Sequence, residues 1–238
     1  MDLVYLCKSI PTGNHELRFS LRSAERNLHF DKVFIVGYKP EFLNDKAIYI
    51  PMADVDKNKH INVARKIAEI LCDKRISDDF ILMNDDFYIL REYKKIPYYY
   101  NKSIREWTWR AREKDMQSFH GMKWAAIVED LYEHFPDGKF FETHFPMVYN
   151  KQMLTDVIRK YKLRETATIR SHYCNEYKDK IEIEESKDYK IHDIDALRKL
   201  QEYKDFISTT NITANHPLFK SFIKSRFTKS SSYEIINK

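Results

Sequence analysis

The chain has 238 residues, 43% hydrophobic and 14% aromatic, which is enough for one substantial core and excludes a disordered polymer. With only 4 glycines and neither a G-x-x-x-x-G-K nor a G-x-G-x-x-G run, it lacks the Gly-rich loops that cradle phosphates. A net charge of +5 suits an anionic ligand without demanding nucleic acid, and Cys7, Cys72 and Cys174 are too scattered for a zinc cluster or a disulfide framework.

The N-terminal MDLVYLCKSI has an acid at position 2 and a short apolar run, so neither a signal peptide nor a membrane span is expected, and a cytoplasmic location follows. Residues 2–6 and 32–37 are rich in β-branched and aromatic side chains and predict short buried strands. Between them Leu17, Leu21, Ala24 and Leu28 recur on one helical face, giving a helix from Glu16 to Leu28 and a β-α-β unit. A second helix is expected from Ile61 to Leu71, with Ile61, Ala64, Ile67, Ala68 and Leu71 inward.

A strand at 79–83 follows and runs into Asn84-Asp85-Asp86. Open α/β sheets place ligands at the C-terminal edges of their strands. Two adjacent carboxylates there can hold Mg²⁺ or Mn²⁺ while the ion grips a diphosphate, since hard cations choose carboxylate and phosphate oxygens. An acidic strand-to-turn junction also arises for local reasons, because Asn and Asp bond their own backbone.

From Tyr93 to Trp124 the pattern becomes aromatic and basic, with Tyr98-Tyr99-Tyr100, Trp107, Trp109, Lys102 and Arg105, and an insertion is expected over about 93–125. Such a stretch can stack on sugars or bases, or simply pack on the core with its basic stems laid over it. Helices follow at about Lys123–Phe135 and Lys151–Tyr161, then near Ile194–Tyr203 and His216–Phe227, with a short strand near Phe206. No internal repeat and no linker divides the chain, so one domain over 1–238 is expected.

Several segments carry a resemblance, in order and over nearly the whole length. They are Glu16-Leu17-Arg18-Phe19-Ser20-Leu21-Arg22-Ser23, the strand Lys32–Val36, Ile61-Asn62, Asn84-Asp85-Asp86-Phe87, His144-Phe145-Pro146, Ile169-Arg170-Ser171, and Phe227–Glu234. Together they resemble the Stealth family, which includes capsular polysaccharide phosphotransferases and a GlcNAc-1-phosphotransferase. Its E-L-R-Y-S-L-R-S and N-D-D-[VF]-F blocks are the specific ones. Two positions depart from the family's pattern. Val4-Tyr5-Leu6-Cys7-Lys8-Ser9 lacks the Asp usual after the first strand, and Thr210-Asn211 stands where an N-D pair is usual.

The resemblance implies a GT-A-like α/β fold with a central, mostly parallel sheet, and transfer of a sugar-1-phosphate from a nucleotide-sugar donor to a hydroxyl of a polysaccharide or another acceptor. It implies Asp85 and Asp86 as ligands of Mg²⁺ or Mn²⁺, with Asp86 also catalytic. His144 is the expected base, since histidine exchanges protons near neutrality. Arg170 is expected to clamp phosphate with its planar fork, unless it pairs with Glu165 or Glu176. Arg18, Arg22, Asn62 and Asn84 are expected on the substrate, though Asn62 can equally cap its helix and the two arginines can form a solvated stripe. Two other readings stay open. One is a glycosyltransferase releasing nucleoside diphosphate. The other, less favoured, is a nucleic-acid-binding or modification accessory protein using Tyr98–Arg110.

Overall fold

In the computed structural model, residues 1–8, 13–115, 119–164, 166–186 and 189–235 are described, with backbone only at 114, 115, 119 and 120. Ser9 and Glu165, both weighed above, lie outside the described residues. The strands are β1 (Asp2–Cys7), β2 (Val33–Gly37), β3 (Ala47–Pro51), β4 (Asp79–Asn84), β5 (Phe87–Ile89), β6 (Tyr98–Tyr100), β7 (Met147–Asn150), β8 (Ile183–Glu185), β9 (Lys190–Ile191) and β10 (Phe206–Thr209). The helices are α1 (His15–Asn27), α2 (Lys59–Cys72), α3 (Ile104–Arg110), α4 (Phe119–His134), α5 (Lys151–Lys160), α6 (Ile169–Glu176), α7 (Ile194–Arg198), α8 (Asn211–Asn215) and α9 (Pro217–Arg226).

The main sheet has the order β3-β2-β1-β4-β7, parallel except for β7. Both faces are covered, so β1 and β2 are buried throughout and, after Asp2, apolar rather than alternating. Alternation decides only which face each residue serves. Leu3, Tyr5, Ile35, Ile81 and Met83 pack with Leu17, Leu21 and Ala24 of α1. Val4, Leu6, Phe34, Phe80 and Leu82 pack on the other side with Ile67 and Ile70 of α2, Leu154 of α5 and Tyr173 of α6. Each such side chain contributes about 1.5–3 kcal/mol by leaving water.

The sequence places the strands near 2–6, 32–37 and 79–83 side by side, and the sheet has them so. β3 is not among the expected strands: it is an edge of the sheet, with Ala47 and Ile50 buried and Tyr49 exposed, so its burial pattern is interrupted. The inward face of α2 also differs from expectation. Asn62, Lys66, Ile67 and Ile70 are buried and Ala68 is exposed, because Lys66 reaches inward to donate to Cys7 O at 2.9 Å and to pair with Asp54 at 2.7 Å. Gly37 closes β2 at φ +120°, where a Cβ would stand 2.0 Å from Cys7 O, so a side chain there is excluded twice over.

The excursion over 93–125 consists of β6, α3, a π-helical turn at Ala111–Asp115 and the start of α4. Ser103 and Glu106 form a capping box that starts α3. Its aromatic residues turn mostly inward: Tyr99 is buried against Phe145 and Phe206, and Trp107 lies on Phe140, leaving Trp109 exposed. The tail returns as β10, which pairs with β5 and β9 beside the acidic turn. No helix among the described residues is long and apolar enough to cross a membrane.

Candidate active site

Asn84 ends β4 opposite Leu6 of β1, so the Asp85-Asp86 turn emerges at the C-terminal edge of two adjacent parallel strands. Three residues fix it. Asn14 caps α1 by accepting from Leu17 N at 2.9 Å, and its amide donates to Asp85 Oδ2 at 2.8 Å. Ser20 of α1 donates to Phe87 O at 2.5 Å while accepting from the Tyr5 hydroxyl. Thr209 of β10 donates its N–H to Asp86 O at 3.2 Å and its hydroxyl to Glu16 Oε1 at 3.1 Å. The N-terminus of α1 therefore abuts the turn, and its positive end faces acid.

Three carboxyls gather here against little positive charge. Burial, then repulsion from Asp86, pushes Asp85 up to about 6, with the Asn14 bond and Lys8 acting in the other direction. Burial also raises Asp86, opposed by Lys190 and then His144. Glu16 is raised to about 7 by burial and by the two aspartates. Lys8, at the end of β1, donates to Asn211 Oδ1 at 3.0 Å and so bridges to the start of α8.

His144 stands 3.0 Å through Nε2 from Lys190 Nζ, and its ring meets Phe87 edge-on at 6.1 Å. An ammonium only donates, so this contact leaves the imidazole Nε2 as acceptor. The pair acts electrostatically on Asp86, which puts residues 86, 144 and 190 around one space.

Arg170 lies behind that space. Its Nη1 donates to Thr143 O at 2.9 Å and Phe145 O at 2.6 Å, the carbonyls on either side of His144, and its guanidinium sits 5.7 Å from the Phe87 ring. The same cation faces Glu142, which burial carries up to about 7 while Arg170 draws it down. Arg170 is thus placed to hold the His144 loop.

Arg18 and Arg22 point elsewhere. Arg22 binds Glu234 through Nε at 2.6 Å and Nη2 at 2.8 Å, and also Phe227 O at 3.1 Å; Arg18 adds a bond to Glu234 at 3.0 Å and lies over Phe42. Although burial pushes the Glu234 carboxyl up, the Arg22 bonds hold it below the usual glutamate value. Through these bonds both arginines tie the C-terminal segment to α1. Asn62 accepts from Val55 N and Asp56 N, both at 3.1 Å, and donates to Asp56 O at 2.7 Å, so its amide ties down the loop before α2. The N-cap of α2 is Asn58, not Asn62. Asn84 stays half-buried at the strand end.

Asn14, Glu16, Lys190 and Thr209 were missed as site residues. Glu16 opens the E-L-R-F-S-L-R-S block and was legible as a conspicuous acid at a helix start. Lys190 sits on a two-residue strand with no pattern of its own.

No family model matches this chain, and no curated protein does. Among solved structures, a galactosyltransferase, LgtC, crystallised with donor and acceptor sugar analogues, is similar at a TM-score of 0.48 and 6% identity, covering 98% of either chain.

Proposed function

We propose that the chain is a transferase acting on nucleotide sugars, which moves sugar-1-phosphate to an acceptor hydroxyl and releases nucleoside monophosphate. The observation that carries this reading is the gathering of Glu16, Asp85 and Asp86 at the sheet's C-terminal edge, raised by burial and mutual repulsion, with Lys8 and the His144–Lys190 pair beside them. An all-oxygen donor set fits Mg²⁺ or Mn²⁺, and such ions need only one or two protein carboxylates when substrate phosphates complete the shell. Asp85 and Asp86 would hold the ion, which when bound neutralises the diphosphate.

The remaining steps belong to side chains. Lys190 and Lys8 offer donors for the equatorial oxygens of the transferring phosphoryl group. His144 takes the acceptor's proton once its Nε2 exchanges Lys190 for the incoming hydroxyl. Arg170, through the two carbonyls it binds, keeps His144 at the height of the acid turn. A polysaccharide or similar hydroxyl compound is the proposed acceptor.

The test is incubation with a panel of nucleotide sugars and Mn²⁺, separating released nucleoside monophosphate from diphosphate. Monophosphate released in step with acceptor modification is expected. Diphosphate would make the reaction glycosyl transfer, and no turnover with any donor would overturn both.

A further inference from the structure

The insertion helix α4 ends at His134, and Asp130 lies one turn earlier on the same face. Opposite them, on α6, stands His172. Asp130, His134 and His172 bring one ligand atom each within 4.8 Å of one another. The three are remote in role from the acid turn, and the transfer chemistry above uses none of them.

His172 makes the cluster more than a chance meeting. Its side chain is completely buried, yet Nε2 has no hydrogen-bond partner. Leaving a polar nitrogen in that state costs about 1–3 kcal/mol. Its other nitrogen, Nδ1, lies 2.9 Å from Thr168 O. A carbonyl only accepts, so Nδ1 carries the proton and Nε2 presents a bare lone pair. An imidazole oriented by a backbone carbonyl through one nitrogen, with the other free, is the usual arrangement of a metal-binding histidine. The His134 and His172 rings stand 5.9 Å apart at 61°, within a frame of Phe135 and Tyr161.

We propose that Asp130, His134 and His172 bind a divalent first-row transition metal of the Zn²⁺ class, which ties the insertion helix α4 to α6. Two imidazoles and one carboxylate disfavour Mg²⁺ and Ca²⁺, which choose oxygen, and suit Zn²⁺ with water in the fourth position. Nitrogen and oxygen ligands about 2.1 Å from a tetrahedral ion sit about 3.4 Å apart. The cluster reaches that spacing by small rotations of Asp130 and His134, which are exposed. The ion would also brace α6, whose Arg170 holds the His144 loop.

The test uses full-length protein stripped of metal, in an Asp85→Asn/Asp86→Asn background that removes the acid turn as a competing site. Titration with Zn²⁺ followed by calorimetry and thermal melting is expected to show one equivalent bound and a melting temperature raised by several degrees. Mg²⁺ should do neither, and Co²⁺ should give the visible absorption of a four-coordinate site. His134→Ala and, separately, Asp130→Asn alter exposed groups, so the apo melting temperature should stay put while Zn²⁺ affinity falls, by about 100-fold for the histidine. Zn²⁺ binding that survives both variants unchanged, or no stoichiometric binding in the parent, would overturn the proposal.

Discussion

Asp85 is buried as a carboxyl raised from its ordinary value, so its charge is a liability to the fold in the absence of a cation. A group carried from 3.8 to about 6 is destabilising by about 3 kcal/mol at pH 8, at ~1.4 kcal/mol per pH unit. The sign is that of a raised carboxyl. Its cost vanishes well below pH 3.8, where it is protonated in both folded and unfolded chains, builds as pH rises from about 4 to 6, and is level above that. Asp85→Asn keeps an acceptor for the Asn14 amide and removes the charge. The variant should therefore gain stability over wild type as pH rises, by about 1 kcal/mol at pH 4.5 and about 3 kcal/mol at pH 8. Urea unfolding of both proteins in chelator across that range measures the difference, to which relief of Glu16 adds in the same direction, since Asp85 helps to raise it. A difference that is flat with pH, or that shrinks as pH rises, would refute the claim that burial of this charge strains the apo fold.

Adding Mn²⁺ at about 1,000 times its dissociation constant should reverse the ranking even at pH 8, stabilising wild type by about 4.1 kcal/mol and leaving Asp85→Asn little changed; the same urea titrations report it. Glu234→Ala should cost about 2–4 kcal/mol in denaturant unfolding, since it strands Arg22 and Arg18 without their partner. Arg170→Lys should lower turnover with donor affinity nearly unchanged, because a single ammonium cannot hold both carbonyls beside His144; steady-state kinetics separate the two. Lys190→Ala should reduce turnover by about 10²-fold if it donates to the transferring phosphoryl group, while the melting temperature stays within a few degrees.

Where apolar pattern and burial coincide, the sequence was a good guide. The strands at 2–6, 32–37 and 79–83 and the face Leu17, Leu21, Ala24 and Leu28 follow from period and composition, and the acid pair at a strand end was visible as chemistry. What escaped was decided by partners far along the chain. Arg18 and Arg22 bind Glu234, more than 200 residues away, and no local spacing distinguishes that from a phosphate clamp. Lys190 reaches His144 only because β9 joins β10, which in turn pairs with β5. The inward turn of Lys66, a residue type rarely buried, rotated the reading of α2. His172 gave no signal in a chain with nine histidines, since its significance lies in an unpaired nitrogen.

The central claim is that Asp85 and Asp86 hold a cation against the diphosphate of a nucleotide sugar. ³¹P NMR of a bound nucleotide sugar with substoichiometric Mn²⁺ tests it most directly, because broadening by the paramagnetic ion falls with the sixth power of distance and is strongest for phosphates in contact with it. Wild-type protein should broaden both phosphorus resonances strongly beyond the free Mn²⁺–nucleotide control, and the Asp85→Asn/Asp86→Asn variant should return them to that control. Equal broadening by wild type and variant, or none above the control, would contradict the account.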